Sequence, residues 1–462
     1  MLVRELKRLL LFVGPAIFLI LLVAKLCGKT LISLPSITSP SSKGFSSEFQ
    51  ESGTPSNHVG HPFAGYTEGA YHEIFSLSTS DKKYFKVKFH PHRGINPNAI
   101  PHPTLESTWI IVSQRHDHSV KDSVWFAELF CNAVFTGEAL SCIEPPFILP
   151  IGRTRVRAHH QYENSETDVL QGRDKCIGDL GYFGFNVGPH DARVFYGPSA
   201  PYTIYGSNSQ YTCFGQWIQD LRLLTDWPFE FFNDAQFSMP TELQRPEPYG
   251  MVEKNYFIFW DRDENVYAHY DIFPKRVFAR LSDDGSTGPD LAPKVATGDD
   301  KCINKYMQKL ALENESIHQA TNSISITLCK RSDPGCQPDD SNTFILTVFQ
   351  HKKFYSGHAV YDPYVMLFEQ KAPFALYGIS TKPFWISGRG MPGEWKDLNG
   401  NPSDQTQMIY VTSLSWKKAG QKYHGYIDDA LFILFGIEDS DTGGIDIVAG
   451  DLLADLGLCA LL

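Results

Sequence analysis

From residue 109 to the C-terminal end, short β-branched and aromatic runs recur between Gly, Pro, Asn and Asp. They include 109–114 (WIIVSQ), 202–205 (YTIY), 256–260 (YFIFW), 266–270 (VYAHY), 344–349 (FILTVF), 365–368 (VMLF) and 430–435 (ALFILF). Apolar runs of this length between turn formers read as strands. Helical periodicity is confined to two candidates, 300–312 and 447–456, the second with apolar residues at i, i+3 and i+4. Several units share one grammar: an aromatic strand, a polar turn, a second aromatic strand, then a long irregular connection carrying His, Asp or Arg. Residues 255–270 and 344–368 both show it. Radial repetition of small sheets about an axis produces this texture, so the expected fold is all-β, a five-bladed β-propeller over residues 61–462. Aromatics at 13% and charged residues at only 20% supply the apolar material such a core needs.

Ahead of the propeller, Arg4, Lys7 and Arg8 precede an apolar run, 9–24, which ends at Lys25 and Lys29. No small-x-small cleavage site follows Ala24, so the run reads as an uncleaved signal anchor rather than a signal peptide. It is short for a bilayer span, and early secretory membranes are thin enough to accept it. The expected layout is a cytoplasmic tail at 1–8, a transmembrane helix at 9–27, a Ser/Pro-rich stem at 28–60 and a lumenal body beyond. The stem is too poor in apolar residues to fold by itself. The expectation is a single-pass type II membrane protein of the secretory pathway, with the Golgi as its address.

Net charge of −11 and the lack of Lys/Arg clusters exclude nucleic acid as a main partner. Cys27 borders the apolar run, and eight cysteines follow it: 131, 142, 176, 213, 302, 329, 336 and 459. An even number without CxxC pairs suits disulfides in an oxidising compartment. Cys329 and Cys336 are close enough to close a small loop. The final CALL also fits a prenylation box, but prenyl transfer is cytosolic, so Cys459 is read as a disulfide partner tying down the chain end. Asn314-Glu315-Ser316 is a glycosylation sequon.

The stretch 188–195 (GPHDARVF) packs His190, Asp191 and Arg193 into a Gly/Pro-bounded turn feeding a strand. An Asp in such a turn can simply cap backbone donors. The functional reading makes Asp191 a carboxyl group at the mouth of a propeller channel, with Arg193 fixing a substrate oxygen or holding Asp191. His351, His358 and Tyr361 fall in one connection, 350–364, where with Lys352 or Lys353 they could bind phosphate; surface or packing roles are the alternative. Lys254 and Asp261 flank the 256–260 strand and either contact sugar hydroxyls or form a hairpin turn. Residues 439–441 (DSD) match the DxD that holds a divalent cation in nucleotide-sugar transferases. The tripeptide is common, so Asp439 is read as a direct contact at the channel mouth, with no metal centre expected. Trp217, Trp260 and Trp385 could stack on sugars, although blade packing accounts for most such rings.

GPHDARVFYG resembles the Glu-Asp-Pro-Arg turn of the five-bladed propeller clan that contains inverting β-mannoside phosphorylases and related mannosyltransferases. Asn96-Pro97, EKNY at 253–256, DIFP at 271–274, YHG at 423–425 and FGIED at 435–439 follow the clan's order. With the membrane tether, the chain resembles fungal cell-wall β-mannosyltransferases. Two positions depart from the pattern: His190 stands where Glu is usual and Ala192 where Pro is usual. The resemblance implies Asp191 as the acid/base group and His190, Arg193, Lys254, Asp261, His351, His358, Tyr361 and Asp439 as substrate contacts. It implies an inverting transferase using a nucleotide sugar, GDP-mannose, and a glycan or mannan acceptor. The alternatives are a mannoside hydrolase or phosphorylase, and a non-catalytic glycan-binding propeller.

Overall fold

The strand-like runs pair into five antiparallel meanders that follow one another along the chain. The computed structural model describes residues 69–116, 126–151, 175–185, 189–227, 235–307, 309–310, 314–355, 357–397 and 400–461. All belong to one compact unit, Asn57–Leu462. The expected tail, anchor and stem lie outside the described residues, among which no helix is long and apolar enough to cross a membrane.

Each meander opens with an inner strand: Gly94–Pro101, His190–Tyr196, Phe257–Trp260, Ile324–Thr327 and Ile409–Trp416. Side chains close these five into a ring. Asn98 Nδ2 donates to Ala192 O at 3.0 Å, joining the first to the second. Arg193 donates to Asn255 Oδ1 at 2.8 Å, reaching the lead-in of the third. Ser323 Oγ donates to Ile258 O at 2.7 Å, Asn322 Nδ2 to Leu414 O at 2.9 Å, and Thr412 Oγ1 to Pro97 O at 2.7 Å. The circuit returns to its start, which is the arrangement of a β-propeller. Inner-strand polar groups are buried and would be costly unpaired, so the ring satisfies them across blade boundaries.

The core lies between blades, because each sheet has two faces and both must be covered. One apolar cluster joins the first and second meanders through Ile110, Val112, Val194 and Trp217, and another joins the third and fourth through Phe257, Phe259, Phe349 and Phe368. A third links the fourth and fifth, with Leu346, Leu367, Trp416 and Phe435. Trp217, Trp260 and Trp385 are all buried, so their rings are packing. Near the N-terminal end, Phe85–Lys88 pairs antiparallel with Asp441–Val448 and parallel with Ala139–Cys142, joining the last meander to the first.

Two local expectations are corrected. Residues 447–456 are not a helix: Ile447 and Val448 finish the strand Asp441–Val448, where Ile447 sits opposite Leu431, and only Asp451–Leu453 turn as a 3₁₀ helix. A buried strand end followed by the buried Ala449 and Leu452 of the next turn mimics helical spacing. Residues 350–364 are not an irregular connection; they form the distal half of a long hairpin, Thr343–Tyr355 against His358–Glu369, with Gly357 turning at φ 78°. The other helix candidate, 300–312, overlaps the α-helix Ala296–Tyr306.

All eight described cysteines are paired: 131–142, 176–213, 302–459 and 329–336. Cys459 is bonded to Cys302 and is no prenylation site in this fold. The 329–336 loop forms as expected.

Candidate active site

The inner strands begin at one end of the ring, and there the chain departs from ordinary strand geometry. Asn96, Asp191, Asn255, Glu438 and Asp439 have φ of 53°, 50°, 66°, 53° and 45°. These are five of the ten non-glycine residues with positive φ among the described residues, gathered at one place. Left-handed backbone costs energy in an L-residue, and its clustering marks a site held in shape by its surroundings. Register shifts between Ile95 and Asn98 and between His190 and Arg193 bulge the first two inner strands and re-aim their side chains.

Asp191 is fixed from every side. Its N–H donates to Gln114 Oε1 at 2.9 Å, and the next N–H, of Ala192, donates to Glu128 Oε1 at 3.2 Å. Its carboxylate accepts Asn96 Nδ2 at 2.8 Å and meets His190 Nδ1 at 2.9 Å, with 29% of the side chain open to solvent. Burial alone would raise its pKa. The adjacent His190, its hydrogen bond and that of Asn96, and the charge of Arg193 outweigh burial and hold the carboxyl far below the usual range. His190 is itself positioned by aromatic rings, Phe126 at 4.7 Å and Phe214 at 6.0 Å between centroids. The His190 imidazole therefore helps to keep Asp191 ionised.

Asp439 faces the opposite pressure. It is exposed as a residue, yet protein crowds its carboxyl: burial, then the charges of Asp191 and Glu438, push its pKa up, against Lys352 and His358. Tyr361 and Tyr410, rings 4.7 Å apart, lie near enough to both acids to feel the charges of Asp191 and Asp439. Tyr410 also hydrogen-bonds Arg193. Three cations complete the cluster. Lys352 lies within reach of Lys254 and Asp439, and Lys254, Lys352 and Arg193 all act on His318. Burial first, and those cations next, lower His318 to about 3, so its imidazole is neutral, with Nε2 3.1 Å from Ser316 Oγ.

Of the expected site residues, Asp191, His190, Arg193, Lys254, Tyr361 and Asp439 converge here. His358 stands at the rim, Nε2 3.2 Å from Glu438 and Nδ1 3.1 Å from Gln405. Two do not join. His351 is buried, its Nε2 3.0 Å from Glu315 Oε2, because strand alternation turns it to the face opposite Lys352. Asp261 lies beyond the far end of its strand, accepting from Asn265 and Tyr267 within its own turn. The DxD does not converge either, since Asp441 takes Lys86 Nζ at 2.6 Å on the outside of the blade. Asn314 is exposed, and its carbonyl accepts Phe354 N–H. Sequence reasoning missed His318, Tyr410 and Glu128, and left Lys352 undistinguished from Lys353. Reading 350–364 as a hairpin would have supplied the alternation that separates the two lysines.

No family model and no curated protein matches the chain. Solved structures that share part of its fold include a β-1,2-mannobiose phosphorylase from Listeria innocua. It is 11% identical, with a TM-score of 0.42 over 86% of this chain and 99% of that one. A glycosyl hydrolase from Bacteroides ovatus is 11% identical, with a TM-score of 0.37 over 83% and 93% of the two chains. A thermostable family-43 glycoside hydrolase is 10% identical, with a TM-score of 0.31 over 78% and 91%. The expectation of a GDP-mannose-dependent glycosyltransferase is corrected: the structures found are described as a phosphorylase and glycoside hydrolases, the class held as the alternative. The likeness to fungal mannosyltransferases contracts to the propeller clan.

Proposed function

We propose that this five-bladed propeller cleaves glycosidic bonds in mannosides, passing the glycosyl group to inorganic phosphate. The observation that carries the reading is the convergence of two carboxyl groups whose pKa values are pushed apart, Asp191 down and Asp439 up, beside Arg193, Lys254 and Lys352. Carboxyl groups pushed apart in this way divide acid and base duties. Asp439 donates its proton to the glycosidic oxygen as the C1–O bond breaks. Phosphate, held by the three cations, forms the new C1–O bond from the opposite face, which inverts the anomeric centre. The phosphate proton, released on bond formation, restores Asp439. Asp191 accepts a sugar hydroxyl and keeps the ring oriented. The mannoside follows from the likeness of GPHDARVFYG to the mannoside-active turn.

A hydrolase is the second reading, favoured by the ionised Asp191, which could activate water. Incubation of the full chain with β-mannobiose, with and without phosphate, separates the two. Phosphate-dependent release of mannose 1-phosphate is expected, with kcat about 10²–10⁴-fold lower in Asp439→Asn. Release of free mannose regardless of phosphate would sink phosphorolysis, and no cleavage under either condition would sink both. Secretory residence is part of the same proposal, supported by four disulfides of the kind that persist in oxidising compartments.

A further inference from the structure

The opposite end of the ring holds a cavity that the cleavage reading does not use. The seven-residue strand His190–Tyr196 carries the chain roughly 20 Å away from Asp191 before the second meander turns back. Beyond the far ends of the inner strands, Pro198, Asp261, Arg262 and the 418–422 loop surround a space of about 700 Å³, within the range of small-molecule sites. None of its lining residues belongs to the Asp191 cluster.

Its walls are charged but balanced, four acidic side chains against four basic ones. Arg262 donates to Asp340 Oδ1 at 2.8 Å, and Arg331 forks onto Asp429 at 2.8 and 2.6 Å while lying 4.2 Å above the Tyr426 ring. Asp261 is taken up by its own turn. A net anion entering here would meet Asp339 and Asp340, and a net cation would meet Arg262 and Arg331. Between the ion pairs stand neutral groups that both donate and accept, Gln370 and Gln421, beside His424 and Tyr426. Gln421 donates through Nε2 to His424 O and Asp429 Oδ2, yet its Oε1 is buried with no partner among the described residues. A buried amide oxygen left unpaired is costly, and a hydroxyl donor would satisfy it.

We propose that this cavity is a second ligand site, distinct from the Asp191 end, which binds an uncharged oligosaccharide. A sugar chain matches the walls because its hydroxyls both donate and accept, its carbon faces pack on rings, and it carries no net charge for the acidic or basic side chains to reject. The inference does not depend on cleavage at the other end.

Calorimetric titration of the full chain in a Lys352→Ala background, which impairs the Asp191 end, provides the test. The probes are uncharged tetrasaccharides of mannose, glucose and galactose, run separately. At least one should bind saturably, and Ala419→Trp, which fills the cavity without removing a hydrogen bond, should weaken binding at least tenfold. Gln421→Leu should do the same, with an unchanged thermal midpoint in Ala419→Trp showing that the fold is intact. Failure of all three probes to bind, or binding indifferent to both substitutions, would overturn the proposal. A positive result here with no cleavage of β-mannobiose would leave the second site standing and remove only the proposed activity.

Discussion

Asp191 and Asp439 show how one residue type has its pKa pushed in opposite directions a short way apart. Both are crowded by protein, which penalises charge; Asp191 has His190, Asn96 and Arg193 to offset that penalty, whereas Asp439 has the charge of Asp191 added to it. The pH dependence follows. Asp191 stays ionised through the working range and adds no acid limb. Asp439 must carry its proton, so kcat/KM should fall as pH rises through its pKa, on a limb above the ordinary carboxylate range. Lys352 draws that pKa down, so Lys352→Ala should move the limb to higher pH. A pH–rate profile checks both, and a limb that moves to lower pH would contradict the assignment. At this scale the sequence was informative about Asp191, whose Gly/Pro-bounded turn is local. It said little about Asp439, whose protonation depends on residues far along the chain.

Among the elements, the inner strands carry the greatest constraint, because they must bury polar backbone and still approach one another closely. His424–Tyr426 runs parallel to Ile324–Thr327, pairing Gly425 with Ile326, and a Cβ on Gly425 would overlap the indole of the fully buried Trp416. Gly425→Ala should therefore cost about 1–3 kcal/mol through overpacking, read as a lower denaturant midpoint with an unchanged slope. Strand existence was legible throughout: every aromatic run singled out in the sequence lies within or overlaps an observed strand. Register was not. The hairpin Thr343–Tyr355/His358–Glu369 reads as a polar connection over its distal half because Lys352 faces the site and His358 its rim, while Lys353 pairs with Asp362 on the other face. Helical spacing at 447–456 failed for a related reason, since a strand end followed by a 3₁₀ turn mimics i, i+3, i+4 over a few residues.

For the molecule as a whole, closure is the organising event. Phe85–Lys88 bridges the last and first meanders, and Leu456–Leu458 pairs with Leu376–Ser380 of the fourth. The Cys302–Cys459 disulfide then ties the chain end to the helix Ala296–Tyr306 across 157 residues of sequence. Cross-linking so long a loop restricts the unfolded chain strongly, so the double variant Cys302→Ser, Cys459→Ser should lose about 2–5 kcal/mol. Equilibrium denaturation would show this, and an unchanged midpoint would mean the end is held by packing alone. By itself the sequence determined the β class, the recurrent blade grammar, the pairing of an even set of cysteines and the prominence of Asp191. Each of these is written in spacing along a few residues or in a simple count. Only the tertiary structure decided that Lys254, His318, Lys352, Tyr361, Tyr410 and Asp439 meet Asp191, that His351 and Asp261 do not, and that a second cavity lies at the far end of the ring. Residues on different blades become neighbours through closure about an axis, and no periodicity in the chain records which ends of which strands that closure brings together.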